Sequence, residues 1–189
     1  RVYGGTQDNS TQGGPSQTGR TNGIKNSDWF LTAGGDGHQP ATEHGNPNIM
    51  YSQSQQGFLT RRDTTTGENH FIQPQPKPGE PAERFNWDAP INVSTHDPKR
   101  IYHASQRVWR SDDRGDSWTA ISPDLTKNGN RMHMPMMGRT WSVEAGWDLY
   151  AMGTYHTIAN FSESPVDENT LWVGTDDGQI QVTSDGGNN

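Results

Sequence analysis

The chain has 189 residues, of which 28% are hydrophobic, and its formal net charge of -7 comes without any run of basic residues. This balance excludes a nucleic-acid phosphate site, which needs clustered lysine and arginine, and the lack of cysteine excludes disulfides and thiolate catalysis. No apolar run in the sequence reaches the roughly 20 residues of a membrane span. Seven tryptophans, 22 glycines and 12 prolines instead favour an all-β chain rich in turns.

One short pattern recurs four times along the chain, as an apolar-aromatic strand followed by a small residue and a polar turn. The copies lie at residues 2–9, 49–57, 101–107 and 171–178, and the first and last are close (VYGGTQDN and LWVGTDDG). Further candidate strands precede three of the copies, at residues 29–33, 91–94 and 157–161. Two more strands are expected after each copy, so the repeat predicts units of four short antiparallel strands.

A sharper motif follows the third copy. Its residues are Ser111, Asp113, Gly115 and Trp118, in the spacing S/T-x-D-x-G-x-x-W that defines an Asp-box. A second copy begins with Thr183, Asp185 and Gly187, and a degenerate copy is expected around Asp63. In such a hairpin the carboxylate accepts backbone N–H groups, glycine supplies a positive φ, and the aromatic ring packs below. We interpret the motif as structural and do not assign Asp113 or Asp185 a catalytic role.

Four-stranded units at this spacing are typical of propeller blades. The predicted fold is therefore all-β, a fragment of a β-propeller built of four-stranded antiparallel blades with Asp-box hairpins. We divide the chain into residues 1–27 (incomplete), 28–80, 86–126, an insertion at 127–153, and 154–189 (incomplete). The proline-rich residues 74–81 are expected to be an extended connector. The remainder of the propeller, in the same or another chain, is the first expected partner.

With these repeats the chain resembles the Asp-box (BNR-repeat) propellers: sortilin-like Vps10 domains, xyloglucanase-type glycoside hydrolases and sialidases, and above all large bacterial proteins of this type. The matching phrases are residues 2–16, 28–37, 86–91, 107–126, 137–142 and 173–187, which cover nearly the whole chain. The resemblance implies one or two many-bladed propellers, often exported. It also leads us to expect an exported location and no cofactor.

Activity does not follow from the resemblance. A glycoside hydrolase needs two carboxylates that flank the scissile bond, and the candidates on inter-strand loops are Asp8, Asp36, Asp88, Asp97, Asp176 and Asp177. Asp36 and Asp177 are the two we single out, although each aspartate is more typical of a turn. The arginines lie mainly in hairpins and form no sialidase triad. The leading hypothesis is a non-catalytic scaffold that binds a protein or ligand, and the alternative is a glycoside hydrolase with carboxylates in an axial cleft.

Two further segments could carry a site. His38, Glu43 and His44 follow Asp36, but Pro40 precludes the helix that would place such ligands on one face, so we predict no metal. The insertion is rich in methionine and tryptophan, which are adaptable contact residues enriched at interfaces. A partner-binding loop would use Met134, Met136, Met137, Arg139, Trp141 and Trp147. The alternative is a loop that folds over the ends of the blades and fills a local core.

Overall fold

The computed structural model describes residues 1–142, 144–146 and 153–189. Sheet 1 contains β1 (Val2–Gly5), β2 (Thr11–Gly14) and β3 (Phe30–Ala33). Sheet 2 contains β4 (Ala41–Glu43), β5 (Asn46–Gln53), β6 (Leu59–Asp63) and β7 (Asn69–Phe71). Sheet 3 contains β8 (Ile91–Val93), β9 (Ile101–Ala104), β10 (Val108–Ser111) and β11 (Thr119–Ala120). Sheet 4 contains β12 (Ile158–Glu163), β13 (Leu171–Thr175) and β14 (Ile180–Thr183).

Three short 3-10 turns complete the described elements, at Asn26–Asp28, Gln55–Gly57 and Arg131–His133. Within the part of the chain described above, no helix is long and apolar enough to cross a membrane. Within each sheet, strands that follow one another in sequence pair antiparallel, so each sheet is a simple meander. The first strands of successive sheets also lie side by side, β4 beside β8 and β8 beside β12. The prediction of an all-β fold with four-stranded antiparallel units is confirmed.

The position of one strand corrects the sequence analysis. We expected residues 29–33 to begin the second unit, but β3 pairs with β2, with Gln12 opposite Leu31 and Gly13 opposite Phe30. The second sheet begins instead with β4, which pairs with β5 through Ala41 and Tyr51. An apolar strand of this length fits either neighbour equally well, because its composition does not encode which edge it joins.

Two apolar clusters fill the spaces between adjacent sheets. The cluster between sheets 2 and 3 contains Ile49, Tyr51, Leu59, Ile72, Ile91, Val93 and Ile101. The cluster between sheets 3 and 4 contains Tyr102, Ala104, Val108, Ile158, Phe161, Leu171 and Val173. Burying one such large apolar side chain stabilises the fold by about 1.5–3 kcal/mol. Sheet 3 therefore contributes alternate residues of β9 to two different clusters, as the two-residue period of a strand requires.

The motif at residues 111–118 closes the turn between β10 and β11. Asp113 accepts hydrogen bonds from the Ser111 hydroxyl (2.7 Å), the Ser117 N–H (2.8 Å) and the Ser117 hydroxyl (2.5 Å). Gly115 has a φ of 91° and donates its N–H to the Ser111 hydroxyl. Burial raises the pKa of Asp113, but these hydrogen bonds outweigh it and hold the pKa below its usual value. The carboxylate is therefore ionised and fully engaged in its own turn.

Trp118 leaves this turn and packs against the cluster between sheets 2 and 3. Its indole Nε1 donates to the Ile72 carbonyl at 2.7 Å. The neighbouring Arg114 forms a two-point ion pair with buried Glu43, at 2.5 and 2.9 Å. The hairpin of sheet 3 is thus attached to sheet 2 by this aromatic side chain, by the Arg114–Glu43 ion pair, and by Arg61, which contacts Asp116 and the Arg114 carbonyl, both at 2.9 Å.

The second copy of the motif, after β14, makes the same contacts. Asp185 accepts from the Thr183 hydroxyl (2.7 Å) and from the N–H groups of Asn188 and Asn189 (2.9 and 3.0 Å). The hydrogen bonds from Thr183 and Asn189 lower the pKa of Asp185 to about 2. Gly187 has a positive φ of 102°, and Gly115 at the equivalent position has one of 91°.

The copy expected at Asp63 is displaced by one residue. The Leu59 carbonyl accepts the N–H of Ile72, the residue after the fourth strand of sheet 2, at 2.9 Å. The Val108 carbonyl accepts the N–H of Ile121 in the same way, also at 2.9 Å. Leu59 and Val108 therefore hold equivalent positions in β6 and β10.

Counting from these two residues places Thr64, and not Asp63, at the position of Asp113. The Asp63 carboxylate instead accepts the N–H of Thr65 at 2.7 Å and its hydroxyl at 2.5 Å, in an ordinary Asx turn. The prediction that Asp63 is the aspartate of a degenerate Asp-box is wrong. Both arrangements place an aspartate at the end of a strand or just beyond it, so the sequence spacing alone did not distinguish them.

His103 lies fully buried between sheets 2 and 3, with Phe85 stacked on its ring at 5.0 Å. Its Nδ1 lies 3.0 Å from the Pro90 carbonyl and its Nε2 lies 3.0 Å from the Gly57 carbonyl. A neutral imidazole can donate to only one of them. Burial nevertheless dominates and lowers the pKa of His103 below its usual value of 6.5, although both carbonyls act in the opposite direction.

We therefore expect the free energy of unfolding to fall as the pH drops below 6.5. In this range the unfolded chain binds a proton at His103, whereas the folded chain, in which the pKa is lower, binds less. One proton limits this slope to about 1.4 kcal/mol per pH unit. Urea titrations at pH 7 and pH 5 should show a smaller difference for His103→Gln than for the unchanged protein. An identical difference in both proteins would contradict the assignment.

Candidate functional site at the connector end

One end of the four sheets gathers most of the candidate residues. It carries the β1–β2, β5–β6, β9–β10 and β13–β14 turns and the connections between successive sheets, and we term it the connector end. Backbone hydrogen bonds join these segments across sheets, from Gln56 N to the Trp87 carbonyl (3.2 Å) and from Ile158 N to the Ser105 carbonyl (2.7 Å). Of the six candidate aspartates, Asp97 lies outside this end, in the β8–β9 turn.

Asp177 lies in the β13–β14 turn and is only 6% exposed. Its carboxylate accepts from the Thr175 hydroxyl (2.5 Å), the Lys127 N–H (2.7 Å) and His156 Nδ1 (2.7 Å). Burial raises the pKa of Asp177, but the hydrogen bonds from Thr175, His156 and Lys127 together lower it below the usual value. The Asp177 carboxylate is ionised and already accepts three hydrogen bonds. It can therefore hold loops in place, but it has no proton to donate.

His156, the partner of Asp177, was missed by the sequence analysis. It is 4% exposed, has a φ of 62°, and its Nε2 has no hydrogen-bond partner among the described residues. Gly129 closes over this nitrogen, because a Cβ added there would lie 2.7 Å from Nε2. An imidazole oriented by a carboxylate is the arrangement of a general base, but this one is sealed beneath the start of the insertion. The only sequence signal was the Thr175-x-Asp177 pair, which repeats the Ser111-x-Asp113 spacing at the opposite end.

Asp36 lies in the β3–β4 connection and orders its neighbours. It accepts the N–H of Asp8 at 2.8 Å and the Gln55 side-chain amide at 3.3 Å. Its own N–H donates to the Gln55 side chain at 3.0 Å. Asp36 therefore links sheets 1 and 2, whereas Asp177 links the insertion to sheet 4.

The histidines of the candidate metal segment lie at opposite ends of β4. His38 precedes this strand at the connector end, where its Nδ1 lies 3.4 Å from an oxygen of Asp88. His44 follows the strand, and its Nε2 lies 3.3 Å from the Val93 carbonyl. Within the described residues, no three histidine, aspartate or glutamate side chains form a group that could hold a metal ion.

Residues 83–86, which we term the strap, cross the connector end after the proline-rich stretch. The Glu83 side chain is 2% exposed and accepts hydrogen bonds from Arg107 (2.5 and 3.0 Å), Ser105 (2.5 Å) and Trp109 (3.3 Å). Arg107 also lies over the Trp109 ring, 4.5 Å from its centre. Glu83 therefore anchors the strap on the β9–β10 hairpin of sheet 3.

The next three residues of the strap reach further sheets. Arg84 donates to the His156 carbonyl at 3.2 Å and to Asp124 at 2.5 Å. Phe85 packs against Gly57 of sheet 2, where an added Cβ would come within 2.3 Å of its ring. Asn86 donates to the Thr157 hydroxyl at 2.8 Å, at the start of sheet 4. Four consecutive residues therefore hold three sheets together.

The insertion folds on itself beyond Asn130. Met136 and Arg139 exchange backbone hydrogen bonds around a turn in which Met137 and Gly138 both have positive φ, 52° and 82°. Trp141 donates its indole N–H to the Met136 carbonyl at 3.1 Å, and Arg139 stacks on its ring at 3.8 Å. Met134 precedes this turn. Trp147, the last residue of the predicted partner-binding loop, lies outside the described residues.

Comparison with known proteins supports the fold and leaves the family open. A GH74 xyloglucanase from Xanthomonas campestris is similar with a TM-score of 0.51 and 16% identity, over 84% of this chain and 22% of that one. An ancestral GH74 enzyme is similar with a TM-score of 0.57 and 12% identity, over 98% of this chain and 21% of that one. YCF48 from Cyanidioschyzon merolae scores 0.44 at 15% identity, over 81% of this chain and 35% of that one.

The chain spans about a fifth of the length of the two GH74 structures. Neither a family model nor a curated protein matches its sequence. The four meander sheets, packed with their first strands side by side, and the two GH74 likenesses define the class of fold as part of a β-propeller, in which each sheet is a blade.

Proposed function

We propose that this chain is a non-catalytic propeller scaffold of the Asp-box family, which binds a protein or glycan partner at its connector end. We further propose that it works within a larger exported bacterial protein. The two Asp-box hairpins support the family assignment, because Ser111 with Asp113 and Thr183 with Asp185 make the same hydrogen bonds. The rest of the propeller is the first partner that such a fragment requires.

One observation carries the proposal: both candidate acids order loops. A glycosidase needs a protonated carboxylic acid with a raised pKa beside a second carboxylate. Asp177 has the opposite shift and is buried under three hydrogen bonds. Asp36 is held between Asp8 and Gln55. Neither carboxylate is arranged to protonate a leaving group.

The partner-binding role is assigned to the tip of the insertion. Met137 is 95% exposed, yet it sits on a turn fixed by the Met136–Arg139 hydrogen bonds and by Trp141. A non-glycine residue with positive φ costs roughly 1 kcal/mol or more. An ordered, strained turn that presents an apolar side chain to solvent is typical of a contact surface.

The first test concerns catalysis. The full-length protein is incubated with a panel of β-glucans and sialosides, beside its Asp36→Asn and Asp177→Asn variants. We expect no turnover by any of the three proteins. Turnover by the unchanged protein that is lost in either variant would overturn the scaffold and favour a glycoside hydrolase.

The second test concerns the contact surface. Met137→Asp should weaken binding to the partner at least about tenfold, as loss of a central apolar contact does. Val166→Asp is the matched control, because Val166 is 90% exposed in the β12–β13 turn at the opposite end. Complexes captured from the native source with full-length protein are compared by quantitative mass spectrometry and on a glycan array. Equal loss in both variants, or in neither, would contradict the assignment.

A glycoside hydrolase remains the second candidate because of one exposed carboxylate. Asp88 is 62% exposed at the connector end, 3.4 Å from the His38 ring. The two similar propellers are described as GH74 enzymes, one of them a xyloglucanase. Asp88→Asn therefore belongs in the same turnover panel.

A further inference from the structure

His156 is a buried titratable residue that the proposed function leaves unused. Its Nδ1 lies 2.7 Å from Oδ2 of Asp177, and this carboxylate is ionised. Nδ1 therefore carries the proton and donates the hydrogen bond, so that Nε2 of the neutral ring presents a lone pair. Nε2 has no hydrogen-bond partner among the described residues, although the residue is only 4% exposed. The fold thus orients a proton acceptor and leaves it unsatisfied.

Two costs fall on this histidine in the observed arrangement. A buried polar atom without a partner has lost its water and gained nothing in exchange. The backbone of His156 also has a φ of 62°, in a region that residues other than glycine rarely adopt. Strain of this kind persists only where the surroundings enforce it, and it is typical of segments that switch between two arrangements.

Residues 127–130 cover Nε2, and we term them the lid. Gly129 at its centre lies so close to the imidazole that an added Cβ would come within 2.7 Å of Nε2 and 2.9 Å of Cε1. All four residues of the lid are exposed to solvent. Only a residue without a side chain allows the backbone to approach the ring this closely. The closed arrangement therefore requires glycine at position 129.

The lid is attached to the dyad beneath it at one point. The Lys127 N–H donates to Asp177 Oδ2 at 2.7 Å, the same oxygen that His156 Nδ1 contacts. Beyond Lys127, and within the described chain, the hydrogen bonds of the lid stay local, with Thr126, Met132 and His133. An exposed segment with so few contacts to the rest of the fold opens at low cost in free energy.

The residues on either side of the lid are held more firmly. Arg84 of the strap donates to Asp124 (2.5 Å) and to the Thr126 hydroxyl (3.3 Å), which precede the lid. The same side chain donates to the His156 carbonyl at 3.2 Å. The strap therefore fixes the frame in which the lid and the imidazole meet, and the lid can move without separating the blades.

We propose that residues 127–130 form a lid that opens over His156, and that the open state presents Nε2 as a proton acceptor to water or another hydroxyl group. Asp177 holds the ring through Nδ1 in both states, so that opening changes the access to Nε2 and not its orientation. The lid goes beyond the proposed function, because the binding surface at Met137 lies further along the insertion and takes no part in it.

Diethyl pyrocarbonate, which acylates an unprotonated imidazole nitrogen that it can reach, is a direct probe. The protein is treated at neutral pH, and each histidine is followed by peptide mass spectrometry. His103 is the closed reference, because it is fully buried with both ring nitrogens 3.0 Å from carbonyls. His70, on the exposed strand β7, is the open reference. We expect His156 to react more slowly than His70 and faster than His103. A rate for His156 as low as that of His103 would overturn the lid.

Gly129→Ala supplies the second arm of the test, because the added Cβ does not fit the closed arrangement. Gly153→Ala, at the far end of the insertion, is the matched control, since a Cβ there meets nothing within 4 Å. We expect His156 to react at least about tenfold faster in Gly129→Ala, because the equilibrium shifts toward the open state, and at the unchanged rate in Gly153→Ala. Equal rates in the two variants would contradict the proposal.

Amide hydrogen exchange of the unchanged protein, measured by NMR, keeps the test decisive if Gly129→Ala fails to fold. The Lys127 N–H and the Ile158 N–H each make a hydrogen bond of 2.7 Å, to Asp177 and to the Ser105 carbonyl. We expect the Lys127 N–H to exchange at least about tenfold faster, because opening of the lid breaks its hydrogen bond while β12 stays folded. Equal exchange rates would show that Lys127 opens only with the blade, and the proposal would then be wrong.

Discussion

Trp118→Ala is expected to lower the free energy of unfolding by about 3 kcal/mol, the lower end of the range for deleting a large aromatic side chain from a core. The side chain is partly buried on the cluster between sheets 2 and 3, so the loss combines its apolar contacts with an unsatisfied Ile72 carbonyl. Urea denaturation followed by circular dichroism would measure the change.

Trp172→Ala provides the control for this experiment. Trp172 also lies on a strand, but it is 50% exposed and belongs to neither cluster. We expect its substitution to change the free energy of unfolding by less than about 1 kcal/mol. If the two variants lost equal stability, Trp118 would not be the attachment between sheets 2 and 3 that its contacts indicate.

Glu83→Gln is expected to cost about 2–4 kcal/mol, because an amide replaces a buried carboxylate that accepts from Ser105, Arg107 and Trp109. The new NH₂ group would face these donors, and Arg107 would lose its buried counter-charge. Thermal and urea denaturation would both report the loss.

Glu80 supplies the matched control, because its carboxylate lies 3.0 Å from the same Arg107 side chain but is exposed at the surface. An exposed ion pair of this kind contributes little, so Glu80→Gln should denature like the unchanged protein. A loss of stability in Glu80→Gln as large as that in Glu83→Gln would show that the buried and the exposed ion pair of Arg107 contribute equally to the free energy of unfolding.

The features that sequence predicted well are those whose interactions are local. The Asp-box turn is closed by residues within seven positions of one another, so Ser111, Asp113 and Gly115 encode it directly. The short apolar-aromatic runs at the start of β9 and β13 likewise indicated strands; β9 is buried on both faces and β13 on one. Both signals depend on the chain's own backbone and not on a distant partner.

The features that sequence missed depend on contacts across sheets. The sequence of β3 fits the edge of sheet 1 or of sheet 2, and only the structure shows that it pairs with β2 of sheet 1. His156 gains its role from Asp177, twenty-one residues away, and the partners of Glu83 lie 22 to 26 residues further along. No periodicity marks such pairs, because they are fixed by how the sheets pack.

The strap changes how the blades are expected to unfold. Repeat proteins in which each unit contacts only its neighbours can lose units one at a time from either end. Here four consecutive residues bind sheets 2, 3 and 4 at once, through Glu83, Arg84, Phe85 and Asn86. Sheet 3 cannot detach without releasing a buried carboxylate and a buried ring, so these three blades form one cooperative unit while sheet 1 lies outside it. We therefore expect sheets 2, 3 and 4 to unfold together, whereas sheet 1 is joined to sheet 2 alone, by Asp36 and by the side-chain hydrogen bonds of Thr11 and Ser52.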